Sequence, residues 1–420
     1  MSTRNHRNTR RPATTTALAM EGLEGRICMA GDVAVTVEGT GLKIAGDALG
    51  NDVLVQQVAA QRIRVTGLDG TTINGAGSQE FAFGGGLLDI NLKKGDDRLV
   101  LNDFEGRFLD VERLKIDLGK GSDVADIDDL IVRGTDLVTI ELGKDDQNAE
   151  DVLRIDDTDI AGSLKVFMGG GDDEVRMEDS VFRRDLEIRL AGGADEVRLG
   201  EADDTLAVMG TLLIEGAKGA DTVALQDVTT GEMNIALGSG TADLTANAVD
   251  VTGAFIFSGG SAFNDVELAD VRADHLEINA PQGRTTADLV DVRARKLVIT
   301  TGESVDRVGL VRVATDGLVA NLGKGDDTLE ADELAARKAE INGGQGNDTV
   351  TVSNFGHRFG FLVTLGDLTI KGNQGDDRVI LDRGRAVNLT VDGNAGNDTL
   401  DERVFLALGV RDVKNVETVL

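Results

Sequence analysis

The sequence predicts an all-β chain, a right-handed parallel β-helix (β-solenoid) built from coils of roughly 20 to 22 residues. Three observations carry that expectation. A glycine-x-aspartate signature recurs along the chain, the residues that follow it alternate apolar and polar, and no stretch sustains the 3.6-residue periodicity of a helix.

The signature reads "KGDDRLVLND" from Lys94, "KGSDVADIDD" from Lys120, "GGDDEVRMED" from Gly170 and "KGADTVALQD" from Lys218. It returns as "KGDDTLEADE" from Lys324, "QGNDTVTVSN" from Gln345, "QGDDRVILDR" from Gln374 and "AGNDTLDERV" from Ala395. Aligned on the aspartate, the column runs Asp97, Asp123, Asp151, Asp173, Asp195, Asp221, Asp243, Asp265, then Thr286 in place of an aspartate. It continues through Asp306, Asp327, Asp348, Asp377 and Asp398. Longer steps are the same unit with a loop inserted. A period in this range means stacked structural repeats.

Within a unit the grammar is constant, as residues 221–238, "DTVALQDVTTGEMNIALG", illustrate. An alternating run (Val223, Leu225) is followed by a polar turn and a second alternating run (Met233, Ile235, Leu237) that ends in glycine. Period-2 alternation makes each run a half-buried strand. Equivalent strands of successive units then stack in parallel, each coil covering the apolar face of the last. Roughly 17 coils at about 4.8 Å would make a rod near ~80 Å long. We expect one β-solenoid domain over residues 31–420, with residues 32–46 capping one end, behind a disordered or targeting leader over residues 1–30.

Composition narrows the function. A formal net charge of −31 makes nucleic acid and anionic membrane poor partners. No run of eighteen apolar residues is present, so no membrane-spanning helix is expected. The only cysteine, Cys28, rules out an intramolecular disulfide. Trp and Tyr are absent altogether, which removes the aromatic platforms that sugar-processing clefts use.

The stretch "GGQGNDTVT", Gly343 to Thr351, matches G-G-x-G-x-D-x-(apolar)-x letter for letter and resembles the RTX (hemolysin-type) calcium-binding repeats of secreted bacterial proteins. In that family the glycine-rich turn bares backbone carbonyls, the aspartate adds a carboxylate, and an ion sits between neighbouring coils. The resemblance implies a metal set of Gly95, Asp97, Gly121, Asp123, Gly171, Asp173, Gly325 and Asp327. It extends to Gly343, Gly344, Gly346, Asp348, Gly375, Asp377, Gly396 and Asp398, with Ca2+ as the bound ion. RTX repeats recur every nine residues, whereas one corner per coil here confines ions to a single edge. In the leader, "LEGRICMAGD" from Leu23 is similar to a short segment preceding many bacterial extracytoplasmic proteins of repetitive β structure, which implies export.

Calcium wants six to eight hard oxygens, and these turns supply carboxylate and carbonyl oxygen without a soft ligand. Stacked carboxylates about 4.8 Å apart repel by roughly 1 kcal/mol each even at the dielectric of water, so a cation, a proton or a lateral stagger must relieve them. The bland alternative is that glycine and aspartate are what any tight corner uses. A second acidic set, Asp103, Asp129, Asp157, Asp179, Glu201 and Asp227, stands six residues after the first. Strand parity places it on the inward side too. The glycine pattern fails between Asp243 and Asp306, which should be metal-free.

The reading is therefore an exported bacterial surface or matrix protein, a non-enzymatic β-solenoid with calcium at stacked corners. Its partners are calcium and cell-surface or extracellular matrix components. Two alternatives stand beside it, a polysaccharide-processing β-helix enzyme and a calcium-independent rod. No nucleophile, zinc or phosphate-loop motif occurs, and His6, His275 and His357 sit in no catalytic-looking context. Loops at residues 102–113, 143–151, 201–210 and 354–367 are the places for a binding function, the last ("NFGHRFGFLVTLGD") above all.

Overall fold

Strand residues alternate buried and half-exposed, so one side of every strand must face a common interior, and the chain satisfies this by winding. The computed structural model describes residues 30–143, 149–202, 204–355 and 365–420. It is a parallel β-solenoid of about 14 turns, with no helix among the described residues.

One coil shows the plan. Asp173 leads into Glu174–Met177, a corner leads to Val181–Phe182, and a second corner leads to Leu186–Gly192. Each strand pairs in parallel and in register with its equivalent one coil on: Glu174 with Glu196, Val181 with Ala207, Leu186 with Leu212. Three ladders thus run the length of the rod. Val175, Met177, Phe182, Leu186, Ile188 and Leu190 all point inward and are buried. Each such side chain stabilises by about 1.5–3 kcal/mol relative to exposure, and the next coil repeats the gain. In the central coils the corners also join the ladder, giving continuous bent strands such as Leu206–Gln226 and Ser239–Ser258.

The opening segment departs from the repeat, and the rod is shorter than ~17 coils for that reason. Asp32–Glu38 and Gly41–Ala45 form an antiparallel hairpin, and Asp52–Ala59, Arg62–Gly67 and Ser78–Ala82 an antiparallel meander. The residues from 32 to 82 therefore fold back on themselves instead of winding on. Two of these strands hand the register to the coils: Gly41–Ala45 pairs in parallel with Leu87–Asn91, and Asp52–Ala59 with Arg98–Asn102. At the other end, Arg411–Lys414 and Thr418–Val419 close the last turn.

Of the phenylalanines, Phe83, Phe182, Phe255, Phe257 and Phe355 fill the core. The leader with His6 and Cys28, and His357 with most of the loop around it, lie outside the described residues.

Candidate functional site: the inner aspartate column

Between the third strand of one coil and the first of the next, the chain turns through the glycine-x-aspartate corner. Gly95, Gly121, Gly171, Gly325, Gly346, Gly375 and Gly396 all take φ between 119 and 153° there. Stacking is equally restrictive, because a Cβ built on Gly346 would lie 1.9 Å from the carbonyl oxygen of Gly325, and one on Gly375 would lie 1.9 Å from that of Gly346. Glycine is demanded here by backbone geometry alone.

The aspartate that follows points into the rod. Asp97, Asp123, Asp151, Asp173, Asp195, Asp221, Asp327, Asp348, Asp377 and Asp398 are buried, as is Asp306. Their Oδ1 atoms form a ladder in which each aspartate accepts the backbone N–H of the aspartate one coil earlier. Asp97 donates to Asp123 at 2.8 Å, Asp173 to Asp195 at 3.0 Å, Asp327 to Asp348 at 2.9 Å, Asp348 to Asp377 at 2.8 Å and Asp377 to Asp398 at 2.8 Å. Asn51 starts the ladder by donating to Asp97 at 2.7 Å, and Glu417 ends it by accepting from Asp398 at 2.7 Å.

A second ladder, which the sequence pattern alone treated as the variable x, flanks the first on the solvent side and runs in the opposite sense. Asn347 donates its backbone N–H to Asp326 at 2.7 Å, Asp376 to Asn347 at 2.8 Å and Asn397 to Asp376 at 2.8 Å. The Asp or Asn between Gly and Asp is therefore a partner of the next coil, with a hydrogen bond as its reason.

What the ladders leave over is the other carboxylate oxygen. Oδ2 of Asp97, Asp123, Asp173, Asp195, Asp221, Asp327, Asp348, Asp377 and Asp398 is buried without a hydrogen-bond partner. Burial pushes these carboxyls up, Asp123 and Asp173 to about 8, Asp97, Asp195, Asp327 and Asp348 to about 7, Asp221 and Asp377 to about 6. The bond from the neighbouring backbone N–H pulls the other way, and desolvation wins. Around the first glycine of the motif the surroundings are oxygen. A Cβ on Gly343 would lie 2.3 Å from Asp348 Oδ2, and one on Gly372 would lie 2.1 Å from Asp377 Oδ2 and 2.8 Å from the carbonyl oxygen of Gly393. Leu118, Met168 and Leu322 fill the same place in other coils and are buried, so the first glycine is dispensable. Gly344, next in the motif, is left-handed at φ 124°.

Two expectations need correction. Asp243, Asp265 and Thr286 are not rungs: the register pairs Asp221 with Ala242, Ala242 with Asn264 and Asn264 with Thr285. Thr285 then donates to Asp306 at 2.6 Å. A slip of one residue turns a side chain to the other face, and parity could have revealed it. Leu244, Val266 and Leu289 follow Ala242, Asn264 and Thr285 at the inward spacing, whereas Thr245, Glu267 and Asp288 would have followed the others.

The second acidic column is not inward either. Asp129, Asp157, Asp179 and Asp227 occupy left-handed corners at φ 55, 43, 40 and 53°, a conformation that Asp tolerates. Asp128, Asp129 and Asp157 bring carboxylate oxygens within 4.8 Å of one another there, partly open to solvent.

A groove of about 880 Å³ along coils of the second half is lined by Arg272, Asp274, Arg293, Arg295, Asp316 and Arg337. Arg295 binds Asp274 at 2.7 Å and holds its carboxyl below the usual range, and Arg337 lies 3.0 Å from Asp316. The guanidinium keeps the Asp274 carboxylate ionised and tethered.

No family model, curated protein or solved structure matches the chain.

Proposed function

We propose that this protein is an exported, non-enzymatic β-solenoid that takes up calcium along its inner aspartate column and serves as a surface or matrix rod. The observation that carries the reading is the row of buried Oδ2 atoms with no donor. A buried carboxylate without a partner is costly, and only a proton or a cation can relieve it. The donors are hard, carboxylate and backbone carbonyl oxygen, which is calcium chemistry. Each of these aspartates has one carboxylate oxygen unspent, so any ion draws on more than one coil. Asp97, Asp123, Asp173, Asp327, Asp348, Asp377 and Asp398 would hold it, with Gly95, Gly121, Gly171, Gly325, Gly346, Gly375 and Gly396 shaping the turn. The strongly acidic exterior, with a net charge of −31, suits a rod kept apart from its neighbours and bathed in divalent cations.

A second reading, the calcium-independent rod, draws on a specific observation as well. The two hydrogen-bonded ladders and the stacked glycines give the second glycine and the two residues after it a structural reason without an ion. Thermal melts at pH 8 in millimolar calcium and in chelator separate the two. A ligand that binds only the folded state raises the midpoint by RT ln(1 + [L]/Kd), about 2.7 kcal/mol at a hundredfold excess over Kd. We expect a rise of several degrees with calcium and none with magnesium at equal ionic strength. An unchanged midpoint would leave the ladder-only rod.

A further inference from the structure

We propose that cation uptake divides the rod into two separately stabilised blocks, residues 97–221 and 327–398, joined by a central block that folds without it. This rests on the calcium reading of the inner column and assigns its regulation.

Four successive rungs in the middle offer no unspent carboxylate. Ala242 has no polar side chain. Asn264 is buried and donates its amide to Gln282 O at 3.2 Å, leaving only a neutral amide oxygen. Thr285 is a hydroxyl rung. Asp306 keeps the ladder but spends its Oδ2 on the backbone N–H of Gly302 at 3.0 Å. The carboxylates closest in sequence, Asp243 and Asp265, lie on the outward face of their strands, beside inward Leu244 and Val266. From Asp221 to Asp327 is five coils, about 24 Å at ~4.8 Å per coil. At that distance two unit charges interact by only about a fifth of what neighbours one coil apart do at the same effective dielectric, so the flanking columns are weakly coupled.

The consequence inverts the usual order of fraying in a repeat rod, where ends loosen first. At pH 8 without calcium both flanks carry buried carboxylates with unrelieved oxygens. The central block carries none, and its interior is filled by Phe255, Phe257, Leu276 and Ile278, all buried. The centre should then be the most persistent part of the molecule, and calcium should tighten the two ends.

Hydrogen exchange read by mass spectrometry on the full chain at pH 8 tests this. In chelator, amides of residues 242–306 should exchange more slowly than those of both flanks. Adding calcium should slow both flanks at least tenfold and leave the centre unchanged. Equal protection along the whole rod, or a response in one flank only, overturns the division while keeping calcium binding. No change anywhere overturns the calcium reading itself. Asn264→Asp gives an independent arm. The new carboxylate would stand between Ala242 and Thr285 with no charged neighbour in the column, so the variant should melt lower at pH 8 and calcium should not restore it. Restoration by calcium would sink the proposal.

Discussion

At a single rung the two oxygens of one carboxylate have different work. In Asp348, Oδ1 accepts the N–H of Asp327 at 2.9 Å, while Oδ2 is buried and unpaired. Substitutions separate the two. Asp348→Ala leaves the Asp327 N–H buried without an acceptor and should cost about 1–3 kcal/mol in chelator, and more in calcium, where the stabilisation by the ion is lost as well. Asp348→Asn keeps that acceptor and removes the charge. At pH 8 in chelator it should therefore melt at or above the wild type, and in calcium below it. Melts of both variants in the two buffers check this, and an Asn variant as calcium-responsive as the wild type would show that Oδ2 holds no ion. Asp348 is coupled to Asp327 and Asp377 through the ladder, so effects of combined changes will not add.

At the level of the corner, the glycines act through the backbone and independently of any ion. Gly346 sits at φ 128° with the Gly325 carbonyl oxygen 1.9 Å from where a Cβ would go. Gly346→Ala should cost about 3 kcal/mol or more, since strain and a backbone clash combine. Gly317, in the strand Ala314–Lys324, has open space around its Cβ position and no left-handed φ. Gly317→Ala should be neutral or stabilise by up to about 1 kcal/mol, through the unfolded chain. Circular-dichroism melts of the pair are the measurement, and similar losses in both would contradict the stacked-corner geometry.

These contrasts also show what could be read in advance. The period, the two alternating runs of each coil and the inward aspartates are legible because burial enforces alternation in every unit, whereas a middle strand as short as Val181–Phe182 carries no period to read. The slip at Ala242, Asn264 and Thr285 is masked in the sequence because Asp243, Asp265 and Thr286 stand one residue later, and only the apolar residues two and four positions on reveal the face. The outer ladder was hidden for another reason: its Asp and Asn residues bond to a coil about 21 residues away, as Asp326 does with Asn347, and no local pattern marks such a partner. The antiparallel opening shares the alternation of the coils, and only its turn positions distinguish a hairpin from a winding strand.

For the whole molecule the inner column sets a pH dependence opposite to that of an ordinary acidic protein. Burial raises the rung carboxyls from an ordinary 3.8 to between about 6 and 8. The folded state then binds more protons than the unfolded one, so their contribution to stability is full at acid pH and is lost as pH rises through that window. The arginine-paired carboxyls act in the other direction: Asp274, Asp291 and Asp401 are held below the usual range, and their contribution disappears only in stronger acid. In chelator the melting temperature should therefore climb from pH 8 to about pH 5 and fall again below about pH 4. General repulsion among the surface charges also weakens the rod at alkaline pH, but high salt screens it, whereas the buried column is sheltered from salt. The decline from pH 5 to pH 8 should accordingly persist in high salt. Calcium and protons compete for the same Oδ2 atoms, so the calcium-induced shift should be largest at pH 8 and nearly vanish at pH 5. Melting curves across this range, with and without calcium and at two salt concentrations, are the measurement. A chelator profile that is flat or rises towards pH 8 would mean that the column is neither protonated nor strained, and with it the physical reason for cation uptake would be gone.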